Sequence, residues 1–167
     1  SFRNMSNPTA IIAEDEPLLA QALKAELARA WPDLRILRTV GDGLSAVAAA
    51  LELLPDVLFF DIRMPGLDGL EAAAELADRW PTAHQADDAR PFPALVLVTA
   101  YDQYAVQAFE AQALDYLLKP VQAQRLQKAV AKLQQALAAR ASHALTEATA
   151  SATQPLQLPQ PDRQLEA

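Results

Sequence analysis

Three acids, a hydroxyl and a lysine stand at matching places in this chain, each at the end of a short apolar run. Glu14 and Asp15 follow Thr9 to Ala13, Asp61 follows Val57 to Phe60, Thr99 closes Ala94 to Val98, and Lys119 follows Leu114 to Leu118. Clustered carboxylates repel and raise one another's pKa unless they share a cation. One or two carboxylates with a carbonyl and waters are a usual way of holding magnesium. A lysine offers a point charge to an anion such as a phosphoryl group, and a hydroxyl offers a hydrogen-bond donor. Taken alone, Asp61 before Met64-Pro65-Gly66 also reads as the opening residue of a turn. What separates the two readings is whether the fold gathers the five residues.

The elements that must do so alternate between extended and helical patterns. The run Val57 to Phe60 is continuously apolar, as a strand buried on both faces of a sheet requires. Thr9 to Ala13 and Ala94 to Thr99 read the same way. Leu34 to Val40 and Leu114 to Leu118 complete five strands. Between them lie five helices. Pro17 suits a first helical turn, and Leu19, Ala22, Leu23, Leu27 and Ala30 fall on one face of the helix that ends at Trp31, before Pro32. Leu44 to Leu54 is a second helix, and Asp68 to about Arg79 a third, with Asp68 and Glu71 spaced as a capping pair. Gln103 to Gln112 is a fourth, with Val106 and Phe109 turned inward. The fifth starts near Gln122 and carries Leu126, Val130, Leu133 and Leu137.

Such alternation implies right-handed crossovers and one parallel sheet covered on both faces. Open sheets of this kind bind ligands at the strands' carboxyl ends. The same ends carry Glu14, Asp15, Asp61, Thr99 and Lys119, so the pattern predicts a cup for a divalent cation and a phosphoryl group. At 167 residues with 51% hydrophobic content, the chain suits one domain and a tail. The expected layout is a lead over residues 1–8, a domain over 9–141, and a Pro/Gln-rich linker over 142–167. The segment Pro155 to Pro161 is expected not to be helical. A net charge of −7 argues against direct nucleic-acid binding by this segment. Absence of cysteine excludes disulfides and thiolate metal sites. No membrane-length apolar run and no charged-then-apolar leader is present, which points to a soluble, cytoplasmic protein.

Glu14-Asp15, Asp61 with Met64-Pro65-Gly66, Thr99-Ala100 and Lys119-Pro120 together resemble the receiver domain of two-component response regulators. The likeness covers about Thr9 to Ala139 and implies a flavodoxin-like sheet of order 2-1-3-4-5. Thr99 to Phe109 and Ala113 to Pro120 are similar to the LytR/AlgR class, whose members carry a C-terminal LytTR DNA-binding domain. No such domain follows here, implying a truncated piece or a stand-alone receiver. The resemblance implies that Asp61 accepts phosphoryl from a histidine kinase, and that magnesium is bound by Asp15, Asp61 and the main-chain carbonyl of Arg63. Glu14 would act on the ion directly or through water. Thr99 and Lys119 would hold phosphoryl oxygens, small Ala100 would leave them room, and Tyr116 would be an aromatic switch coupled to Thr99. It also implies a cis Lys119-Pro120 bond and a homodimer through the fourth helix, fifth strand and fifth helix. Arg63 and Tyr101, two residues beyond Asp61 and Thr99, would hinder attacking water and prolong the phosphorylated state.

Other residues carry plainer readings. His84 and His143 read as surface histidines, Trp31 and Trp80 as helix-end packing. Arg125, Lys128, Lys132 and Arg140 read as a solvated face, and Pro81 to Pro93 as an exposed insertion, long for a helix-to-strand connection. Two rival functions share the acid pattern. A phosphatase of the haloacid dehalogenase type needs a second Asp two residues after its nucleophile, where this chain has Arg63. A pseudo-receiver would be a non-phosphorylated interaction module, and here every residue of the acceptor chemistry is present.

Overall fold

The apolar runs form one parallel sheet. In the computed structural model, which describes residues 7–81 and 90–157, its strands are β1 (Thr9–Ala13), β2 (Arg35–Val40), β3 (Val57–Asp61), β4 (Ala94–Thr99) and β5 (Asp115–Leu118). They lie in the order β2-β1-β3-β4-β5, the flavodoxin-like order expected. Central β3 and β4 are buried at every position, whereas edge strand β2 is half exposed. That contrast explains why β2 is the least uniformly apolar of the five. Ala13 pairs with Phe60, Asp61 with Val98, and Thr99 with Leu118. The carboxyl ends of the inner strands are therefore level with one another.

Five helices connect and follow the strands: α1 (Pro17–Ala30), α2 (Gly43–Leu53), α3 (Gly69–Arg79), α4 (Ala105–Glu110) and α5 (Ala123–Gln157). Pro17 occupies the first turn of α1. Asp68 and Glu71 form the reciprocal capping box, with Glu71 N–H donating to Asp68 Oδ1 at 2.7 Å and Asp68 N–H to Glu71 Oε1 at 2.9 Å. Such caps contribute about 0.5–2 kcal/mol and fix where a helix begins. Here that point is the turn following Asp61. One part of the core, built from Ile11, Leu58, Phe60, Leu76 and Leu97 among others, lies between β1, β3, β4 and helices α2 and α3.

Three expectations need correction. Val106 and Phe109 do not point inward; they are 66% and 82% exposed. A 3-10 turn at Asp102–Tyr104 precedes a six-residue α4 whose inward residue is Ala108. At about 100° per residue, Val106 and Phe109 then fall on other faces. In α1 the buried positions are Ala20, Leu23 and Leu27, while Leu19 and Ala22 remain exposed. Helix α5 includes residues 155–157, contrary to the expectation that the segment from Pro155 is not helical. It runs on through the Ala- and Glu-containing stretch after Ser142 to Gln157, with Pro155 inside its last turn. Alanine is the strongest helix former, and its frequency there outweighs the Ser and Thr content. The chain divides into compact units Ser1–Leu133 and Gln134–Ala167. In the first, Leu126, Val130 and Leu133 are buried as their spacing required. In the second, the described residues are helical. The lead up to Ser6, His84 with most of the Pro81 to Pro93 insertion, and the tail beyond Gln157 lie outside the described residues. No helix among the described residues is long and apolar enough to cross a membrane.

Candidate functional site

Asp61 is the last residue of β3, so its backbone is held by the sheet while its side chain stands at the rim. Glu14 follows β1, where its N–H donates to Val40 O at 2.8 Å. One carboxylate oxygen from each of Glu14, Asp15 and Asp61 lies within 4.8 Å of the others. Glu14 and Asp61 are buried and Asp15 is exposed, which leaves the group open on one side. Lys119 reaches in from the end of β5. Its Nζ is 2.6 Å from Glu14 Oε1 and 2.9 Å from Asp61 Oδ2.

The two buried carboxylates are also fixed by main chain. Arg63 N–H donates to Asp61 Oδ1 at 3.2 Å, and Glu16 N–H to Glu14 Oε2 at 3.1 Å. Burial raises the pKa of Glu14 despite its bond to Lys119. Burial also works against the Lys119 ammonium, but its bonds to Glu14 and Asp61 prevail and hold its pKa above the ordinary lysine value. One lysine thus balances two buried acids, with the charge of Asp15 still unmatched. A hard cation bound by oxygen ligands fits that donor set.

Thr99 is fully buried, and its hydroxyl accepts the Tyr101 N–H at 3.3 Å. The Tyr116 hydroxyl donates to the Tyr101 carbonyl. Thr99 and Tyr116 therefore both bond to the same short loop. The Lys119-Pro120 peptide is cis. Of the side chains expected to meet, Glu14, Asp15, Asp61 and Lys119 converge, whereas the Thr99 hydroxyl bonds to Tyr101 in the loop after β4, as does Tyr116.

Three features escaped the sequence reading. The Arg63 guanidinium stacks over the Tyr101 ring, 4.7 Å from its centroid, joining the loops after β3 and β4. Each residue stands out separately in the sequence, but nothing in their spacing announces the stack. Gly69 is a packing necessity, because a Cβ there would lie 2.1 Å from the Asp61 carbonyl oxygen. Gly43 is similar, with a Cβ falling 2.0 Å from the Leu67 carbonyl oxygen. Glycines heading two helices were the available signal for these close approaches.

A family model for the response regulator receiver domain matches residues 10–131. An uncharacterized response regulatory protein of Vibrio cholerae is 45% identical over 129 residues, covering 77% of this chain and 46% of that protein. The transcriptional regulatory protein BtsR of Escherichia coli is 38% identical over 125 residues, covering 75% of this chain and 47% of BtsR. The chain thus spans about half the length of these curated relatives. Among solved structures, the response regulatory domain of protein mrkE from Klebsiella pneumoniae matches with a TM-score of 0.65 at 33% identity, covering 77% of this chain and 97% of that one. The response regulator domain of Thermotoga maritima CheB gives 0.61 at 26% identity, covering 78% and 96%.

Proposed function

The chain belongs to the response regulator receiver domain family, and from that premise we propose that Asp61 is its phosphoacceptor. A carboxylate oxygen of Asp61 attacks the phosphorus of a kinase phosphohistidine. The P–N bond breaks as the O–P bond forms, and the imidazole leaves. Little covalent chemistry is asked of the protein, since such transfers depend on positioning and charge neutralisation. Lys119 and the Arg63 N–H orient the two oxygens of Asp61. Lys119 then follows the charge onto the phosphoryl oxygens, and Thr99 donates its hydroxyl to them. Magnesium, held by Glu14, Asp15, Asp61 and the Arg63 carbonyl, would neutralise charge on the transferring group.

The observation that carries this reading is the placement of the Lys119 ammonium against both Glu14 and Asp61, with Asp15 beside them. Tyr116 and Thr99 are the switch, linked through the Tyr101 segment. The protein works in the cytoplasm with a sensor histidine kinase. Its output is transcription through a LytTR-type domain, a proposal supported by the likeness of Thr99 to Phe109 and Ala113 to Pro120 to that class and by the similarity to the transcriptional regulatory protein BtsR. Homodimerisation through α4, β5 and α5 is supported by the exposure of Val106, Phe109 and Leu118. Beryllofluoride with magnesium tests the set: bound mass and an altered elution volume are expected for the wild type and not for Asp61→Asn. Absence of uptake by the wild type would turn the assignment toward a pseudo-receiver.

A further inference from the structure

Among the described residues, the buried polar and charged side chains are Glu14, Asp61, Thr99 and Asp115. The first three form the site already described. Asp115 opens β5, at the far end of the strand from Lys119, and is only 8% exposed. A buried carboxylate is costly unless paired and hydrogen-bonded. Helix α5 supplies the partner. Arg125 Nη2 donates to Asp115 Oδ1 at 2.5 Å and Nη1 to Oδ2 at 3.0 Å, a two-point fork, while Lys132 Nζ lies 3.5 Å from Oδ2. Burial alone would raise the Asp115 pKa; the bond to Arg125 prevails and holds it below the ordinary value.

The same pair holds the backbone of Tyr116. Tyr116 N–H donates to Asp115 Oδ1 at 2.8 Å, and the Tyr116 carbonyl accepts from Arg125 Nη2 at 3.4 Å. Strand β5 has β4 on one side and no strand on the other, and the bonds from Arg125 and Lys132 tie its first residues to α5. The segment spanned by the pair contains both Tyr116 and Lys119.

We infer that Asp115 and Arg125 are positioning residues, whose ion pair registers the first turn of α5 on Tyr116 and so sets where the Tyr116 hydroxyl and the Lys119 ammonium stand. The inference rests on the phosphoacceptor reading of the Asp61 site. It predicts a selective defect. The carboxylates come from β1 and β3, outside the clamped segment, so the cation side of the site is spared and the anion side suffers.

The test uses the whole chain with Arg125→Gln, Asp115→Asn and Arg125→Lys. In Arg125→Gln, beryllofluoride affinity in magnesium should fall about tenfold while magnesium affinity does not fall. Arg125→Lys, which keeps charge but not the fork, should recover part of the loss. Amide hydrogen exchange at Tyr116 should quicken in Arg125→Gln and Asp115→Asn, whether or not an anion binds. Unchanged beryllofluoride affinity, or a loss matched by magnesium, overturns the inference. A wild type that takes up neither ligand sinks the phosphoacceptor reading instead. Tyr116 exchange then decides the clamp by itself, and exchange equal to wild type overturns it.

Discussion

Replacing Lys119 by methionine keeps most of the side-chain volume and removes the only cation bonded to Glu14 and Asp61 among the interactions of the described residues. Those two carboxylates have side chains just 6% exposed, and Lys119 is 15% exposed. Breaking a buried pair by deleting one partner costs about 3–5 kcal/mol, because the surviving charge is left uncompensated. Asp15 is exposed and keeps one side of the cup open, so the lower end, about 3 kcal/mol, is expected in a chelating buffer. Magnesium should reverse much of that loss, since it brings positive charge to the same three acids. It should also bind more tightly than to wild type. A unit charge a few ångströms away at an effective dielectric near 20 opposes it by several kcal/mol, and a flexible lysine that swings aside forfeits most of this, leaving about tenfold. Urea unfolding with chelator and with saturating magnesium, together with calorimetric titration of magnesium, reads both effects. A Lys119→Met protein as stable as wild type in chelator, with no gain in magnesium affinity, would refute the counter-ion role.

Further outcomes follow from other parts of the site. Gly69→Ala should lose about 1–3 kcal/mol by overpacking and should weaken beryllofluoride retention, because its Cβ would press on the Asp61 main chain; an unchanged urea midpoint would contradict the contact. Arg63→Ala and Tyr101→Ala should each shorten the phospho-Asp61 lifetime about tenfold by opening the stack that borders it. Phosphate release after removal of the donor measures this, and lifetimes equal to wild type would argue against shielding. Asp115 has a lowered folded pKa, so the unfolded chain takes up protons first and stability falls as pH drops through the range below 3.8. The stability advantage of wild type over Asp115→Asn should therefore shrink across that range, and a constant gap on acidification would contradict it.

Much of this molecule is legible because its central strands are unambiguous. Val57 to Phe60 and Ala94 to Val98 are apolar at every position, and only a sheet covered on both faces buries them all. Residues that end such runs must sit at one rim, so the meeting of Glu14, Asp15, Asp61 and Lys119 could be read before any coordinates. Helix faces were harder to read. Val106 and Phe109 look like core residues, yet the short α4 takes its phase from a preceding 3-10 turn and buries Ala108 instead. Helix α5 takes in residues 155–157 because the Ala-rich stretch before Pro155 carries the helix that far. The Arg63–Tyr101 stack and the Asp115–Arg125 fork depend on side-chain geometry between separate elements, which no spacing within the chain encodes. By its sequence Arg125 belongs to a solvated face, and the fork gives it a partner.

The central claim is that Asp61 carries the phosphoryl group. Incubation with acetyl phosphate and magnesium, followed by intact mass and then borohydride reduction and peptide mapping, addresses it directly. The account predicts one added phosphoryl group per chain, a homoserine at position 61, and neither in Asp61→Asn or without magnesium. Unmodified wild type, or modification that persists in Asp61→Asn, would contradict it.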